Sequence, residues 1–207
     1  MRKISLTLGL VAAAGLSVAA VTVDAAAART AKAAPKAAAA KAAGDTTFMT
    51  KAAGGGLAEV KLGQLATEKA QSADVKSFGQ MMVDDHSKAN TELSGLASQK
   101  GVTLPSDLPA AEKATYDRLS KLSGAAFDHA YMQDMVKDHQ KDVSLFKSES
   151  TSGKDGDTKS WASKTLPTLE KHLQRAREIA GSTANAHAAN TAHTARAAHA
   201  AHAAKSH

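Results

Sequence analysis

Phe78-Gly-Gln-Met-Met-Val-Asp-Asp-His86-Ser-Lys88 returns 53 residues later as Tyr131-Met-Gln-Asp-Met-Val-Lys-Asp-His139-Gln-Lys141. Without gaps the two stretches share Gln80/Gln133, Met82/Met135, Val83/Val136, Asp85/Asp138, His86/His139 and Lys88/Lys141, and Phe78 matches Tyr131. Each copy sets Met and His four residues apart, which on a helix is one turn along the same face. An internal repeat of this kind predicts two helical hairpins related by pseudo-symmetry and packed into one bundle.

Outward from the repeat, the apolar periodicity predicts four main helices. The first starts with Thr46 or Thr47 as cap and runs to about Ser72, with Phe48, Ala52, Leu62, Ala66 and Ala70 on one face, Leu65 at its edge and Glu59 inside the stripe. Gly54-Gly55-Gly56 costs that helix up to about 1 kcal/mol per residue, which predicts a kink or a close backbone approach. The second is capped by Asp74 and ends at Gly101; its stripe is Val75, Phe78, Met82, His86, Ala89, Leu93 and Leu96. Pro105 and Pro109 break the chain before a short helix from Ala110 to Lys121. The third main helix opens at Gly124 and carries Asp128, Met132, Met135, His139, Val143 and Phe146 on one face. The fourth, capped by Asp157 and running to about Ala180, carries Trp161, Thr165, Leu169, His172, Ala176 and Ile179, with Pro167 predicting a bend. No segment alternates. The fold class is all-α: a four-helix bundle over 45–181 with an extra short helix in its long central connection.

Both ends differ in texture. Residues 1–25 read as a signal peptide: Arg2 and Lys3, an apolar run from Ile4 to Val23, then small residues at Val23-Asp24-Ala25, with Val18-Ala19-Ala20 as a second cleavage candidate. The run approaches the length of a membrane anchor, but its alanine content and small-residue end favour cleavage. Residues 26–44 form an Ala/Lys-rich linker, and the Ala/His-rich tail 182–207, lacking Leu, Ile, Val and Phe, is predicted to be disordered. The absence of cysteine excludes disulfides and a lipid-anchored lipoprotein. This places the protein in the periplasm or among secreted proteins, with no stable membrane insertion after signal removal.

The formal charge of +6 belongs to the ends, because residues 45–181 hold 18 Lys and Arg against 19 Asp and Glu. A folded domain without a basic stripe is not a nucleic-acid binder. No nucleophile elbow and no phosphate-binding glycine loop is present, so neither of those chemistries is supported.

Of the nine histidines, His86, His139 and His172 fall inside the core stripes of three different helices. Glu59 and Asp128 fall inside core stripes as well. A buried carboxylate is expensive unless paired or bound to a metal, so these five residues are the candidate ligands of a transition metal: copper, zinc or iron. Met82 and Met135 join them if the ion is copper, since thioether with imidazole suits copper(I); core packing explains the same methionines. The competing explanation pairs the five polar residues with one another, without a metal.

Gly56-Leu-Ala-Glu59-Val, Met82-Val-Asp-Asp-His86, Gly124-Ala-Ala-Phe127-Asp128-His-Ala-Tyr131 and Leu166-Pro167-Thr-Leu-Glu-Lys-His172 together closely resemble an exported bacterial family catalogued as domain of unknown function 4142. The resemblance spans residues 45–180. It implies a ferritin-like four-helix bundle behind a signal peptide and no established activity. Di-iron members of the wider ferritin-like group use a Glu on each of two helices and Glu-x-x-His on the other two. Glu59 and Asp128 match the lone carboxylates, but Val83, Val136 and Leu169 stand three residues before the histidines. The resemblance therefore favours another metal, or none, over an oxygen-activating di-iron centre.

The functional expectation is a non-catalytic exported bundle with a transition-metal site in its core. A metal-free envelope interaction or stress-protection module is the alternative, and a di-iron oxidase ranks last. N-terminal sequencing of the exported protein should find a start near residue 26. Met1 retained on protein extracted only by detergent would overturn the cleaved-signal reading.

Overall fold

The computed structural model describes residues 34–204. The chain divides into two compact units, Met1–Pro35 and Lys36–His207. All of the first except Ala34 and Pro35, and with it the signal-like start, lies outside the described residues.

Five helices follow in order: α1 (Ala34–Lys69), α2 (Ala73–Gln99), α3 (Ala110–Leu119), α4 (Gly124–Ser152) and α5 (Gly156–Ala204). α1, α2, α4 and α5 form the four-helix, ferritin-like bundle, and α3 sits in the connection between its halves. Their directions follow from two carboxylates. Asp128, in the second turn of α4, accepts the backbone N–H groups of Gln71 and Ser72 in the α1–α2 turn, at 3.0 and 2.8 Å. Asp45 accepts those of Lys154 and Asp155 in the α4–α5 turn, at 2.9 and 3.0 Å. α4 therefore begins at the end where α2 begins, and the two run parallel. The sequence repeat lies on these parallel helices rather than on matching helices of two hairpins.

The predicted stripes point inward. Leu62, Leu65, Ala66, Phe78, Met82, Phe127, Tyr131, Met135, Ala176 and Ile179 make one buried cluster, sealed by Leu119 of α3. Phe48, Leu93, Phe146, Trp161 and Leu169 belong to a second, in which the Phe48 and Phe146 rings meet edge to face at 5.0 Å. Burying each large apolar side chain stabilises the fold by about 1.5–3 kcal/mol.

Local chemistry sets the helix ends. Gly101, at φ 65°, closes α2 as its sequence position predicts. Asp155, two residues earlier than the expected Asp157, caps α5 by accepting the N–H and hydroxyl of Thr158 at 2.9 and 2.7 Å. Thr47 caps nothing; its hydroxyl donates to the Ala43 carbonyl inside a helix already under way. α1 starts within the segment read as linker, and α5 continues past Gly181 to Ala204, inside the segment read as disordered. Alanine has the highest helix propensity, Pro35 is tolerated in a first turn, and a lone glycine costs about 1 kcal/mol. Thr183 is buried and the His187 ring stacks on His129 at 5.0 Å; further along, His193 and Arg196 are exposed. No helix among the described residues is long and apolar enough to cross a membrane.

Close approach explains the glycines. A Cβ on Gly54 would lie 2.8 Å from Pro109 Cγ, so the central connection can press onto α1 only where that side chain is missing. Gly63 and Gly79 mark the α1–α2 crossing: a Cβ on Gly79 would lie 2.8 Å from both the Gly63 carbonyl and the Ala66 Cβ. Gly95, on the exposed face of α2, meets nothing within 4 Å. Gly79→Ala should therefore lower stability by about 1–3 kcal/mol, while Gly95→Ala should raise it by about 0.5–1 kcal/mol. Urea unfolding of both variants checks the pair, and equal effects would contradict the close crossing.

Candidate metal centre

Parallel α2 and α4 bring the repeated histidines to one level of the bundle, and antiparallel α5 adds a third. The rings of His86 and His139 lie 5.7 Å apart, and each lies 5.4 Å from the ring of His172. All three residues are buried, and one ligand nitrogen from each lies within 4.8 Å of the others.

Hydrogen bonds determine which nitrogen is free on His139 and His172. His139 Nδ1 lies 3.0 Å from the Met135 carbonyl oxygen. A carbonyl only accepts, so Nδ1 carries the proton and Nε2 the lone pair. His172 Nε2 donates to Asp85 Oδ2 at 2.9 Å, leaving its lone pair on Nδ1. His86 Nε2, His139 Nε2 and His172 Nδ1 are all buried without a hydrogen-bond partner. Each such atom costs about 1–3 kcal/mol if nothing satisfies it. Histidines that bind metals characteristically donate their other N–H to a carbonyl or a carboxylate, as His139 and His172 do.

The electrostatics keep these rings neutral. Burial, then the neighbouring His139 and His172, holds His86 well below the ordinary imidazole value. Burial, then His172, lowers His139 to about 4 despite the opposing pull of its bond to Met135. Burial also lowers His172, with Asp85 pulling the other way. Neutral imidazole is the form that ligates.

The other sequence candidates separate from this trio. Glu59 is buried, and its Oε1 stands 3.7 Å from His139 Nδ1, the protonated side of the ring rather than the free nitrogen. Burial, then Asp142, Asp138 and Glu112, holds Glu59 well above the usual carboxylate range, which weighs against an ion pair with His139. Asp128 spends both oxygens on the α1–α2 turn and does not join the histidines. Met82 and Met135, one turn before His86 and His139, are fully buried in the Phe78–Tyr131 cluster.

Two neighbours of the histidines escaped the sequence reading. Asp85 adjoins His86 in the chain yet serves His172 across the bundle. Asp142 borders a cavity of ≈ 30 Å³ whose walls include His86 and His172. Burial, then Asp138 and Glu112, raises Asp142 to about 7. The Asp138–Asp142 spacing of one helical turn was its only signal.

Residues 29–179 match the family described as a domain of unknown function, DUF4142. The chain belongs to that family. No curated protein matches it. Its fold is similar to a DUF305 protein from Streptomyces coelicolor, at 15% identity and a TM-score of 0.59, covering 68% of this chain and 92% of that one. A DUF305 fragment from Deinococcus radiodurans is similar at 12% identity and 0.60, covering 67% and 95%. CopM in its Cu(I)-bound form is similar at 14% identity and 0.55, covering 65% and 93%.

A depressed histidine makes stability depend on acid. The unfolded imidazole takes up a proton near its ordinary 6.5, whereas folded His139 refuses it until about 4. In the metal-free state, the stability of the parent relative to His139→Leu should be level above 6.5 and move against the parent as pH falls from 6.5 to about 4. The slope should approach about 1.4 kcal/mol per pH unit. Urea unfolding in chelator across that range tests this, and a pH-independent difference would contradict it.

Proposed function

We propose that this chain is an exported, non-catalytic protein that binds one transition-metal ion in its bundle core through His86, His139 and His172. The observation that carries the reading is the set of three buried, unpartnered ring nitrogens on rings gathered within ligand distance. Two of the three rings are oriented by bonds from their far nitrogens. Pairing among the polar residues themselves leaves these ring nitrogens without a partner, which is the weakness of the metal-free alternative.

The donor set selects among metals. Imidazole suits zinc, copper and iron, and carboxylates would shift the balance towards harder ions. With Glu59 on the protonated side of His139 and Asp128 engaged at the bundle end, the reading favours zinc or copper over an iron pair. Met82 and Met135 offer thioethers to copper(I), and the fold shared with the Cu(I)-bound CopM is compatible with that choice. Export rests on the signal-like residues 1–25.

The test is thermal unfolding of the parent and His139→Leu in chelator, then with copper, zinc or iron in turn. In chelator the variant should fall within about 1.5 kcal/mol of the parent, since it removes an unsatisfied nitrogen while keeping most of the volume. With excess copper or zinc at 100 times Kd the parent should gain about 2.7 kcal/mol, and the variant should lose most of that gain. Curves offset equally under every condition would end the metal reading.

A further inference from the structure

A groove of ≈ 980 Å³ opens between α1, α4 and the central connection. Its walls carry five carboxylates, Glu59, Asp107, Glu112, Asp138 and Asp142. Against them stand only Lys51 and Lys141, and Lys141 is already committed to Asp138 at 2.7 Å. The groove reaches the histidines at two points. Glu59, only 3% exposed, has an Oε2 without a partner and an Oε1 3.7 Å from His139 Nδ1. Asp142 belongs both to the groove and to the ≈ 30 Å³ cavity bordered by His86 and His172. Acidic wall, buried Glu59, half-buried Asp142 and histidine cavity are thus contiguous.

The opposite approach, between α2 and α5, is different. A hollow of ≈ 120 Å³ there shares Asp85, Thr165 and Thr168 with the same small cavity, but Lys88 and Lys164 balance Asp85 and Glu92. Even with Glu59 and Asp142 held towards their protonated forms, Asp107, Glu112 and Asp138 outnumber Lys51 and Lys141, and an electrostatically focused cation prefers that groove.

We propose that the acidic groove is the entry route for the metal cation, Glu112 and Asp138 drawing the hydrated ion in and Asp142, with Glu59, handing it to the histidines. The groove is a passage rather than a second resident site: among the described residues no three of its carboxylates come close enough together to hold an ion, and the trio of histidines is the one group that does. The route rests on the metal-binding reading above.

Stopped-flow mixing of the full chain with cobalt(II), whose visible absorption reports tetrahedral binding, tests the route and the site separately. Asp142→Asn should slow loading and chelator-driven release together, each about ten-fold, with the dissociation constant kept within about three-fold, because a passage residue lowers a barrier without holding the bound ion. Glu112→Gln with Asp138→Asn should slow loading about ten-fold at low salt and converge with the parent at high salt. Glu92→Gln, on the balanced face, should load like the parent. Asp142→Asn kinetics equal to the parent's would overturn the route, as would faster release with lost affinity, which would make Asp142 a ligand. Slowing by Glu92→Gln alone would move the route to the other face. A parent that takes up no cobalt, or takes it up equally after His139→Leu, would overturn the metal reading and the route with it.

Discussion

The parallel register of α2 and α4 is the constraint on which the rest of the structure depends. Because both helices start at the same end, a sequence repeat places His86 and His139 at one level, and His172 completes the layer from the antiparallel α5. The layer interrupts the apolar core, which falls into two clusters with different aromatic sets, Phe78, Phe127 and Tyr131 in one and Phe48, Phe146 and Trp161 in the other. Burial in those clusters provides the stability that lets three ring nitrogens sit between them without a protein partner.

Two internal correspondences coexist and do different work. The 53-residue repeat relates parallel α2 to α4 and is legible as identity, because both copies must present the same side chains to the same layer. A shift of 83 residues relates the first hairpin to the second: it carries Asp45 onto Asp128, and Gln71 and Ser72 onto Lys154 and Asp155. That relation is legible only in the structure. It preserves a mechanical role, a carboxylate clasping the turn of the opposite hairpin, and a role of that kind constrains two acids and leaves the turn residues free.

The same contrast explains what could be read from the sequence. The inward stripes were readable because burial imposes a helical period on whole helices, down to Glu59, Leu65 and Ala70 on α1. Asp128 was readable as a buried carboxylate but not as a clasp, since its partners are backbone groups 56 and 57 residues away. Glu59 was placed at the right level, yet periodicity gives a face and not a rotamer, so it could not say which nitrogen of His139 the carboxyl approaches. The length of α5 was hidden by composition: a tail without large apolar residues has no core to join, but alanine needs none to continue a helix already begun.

The charge state of the histidine layer bears on the proposed metal reading. Three imidazoles are held neutral, while Glu59 and Asp142 are held towards their protonated forms by burial and by the acids around them. Shifting these groups towards their neutral forms reduces the desolvation cost of isolated ions. A cation on the histidines would reverse that balance, since a positive charge nearby favours ionised carboxyls and disfavours protonated imidazole. The acids would release protons as the ion arrived, so the layer would gain less net charge than the ion carries. In the metal reading, this coupling of acids to imidazoles is the electrostatic counterpart of the three buried ring nitrogens that have no protein partner.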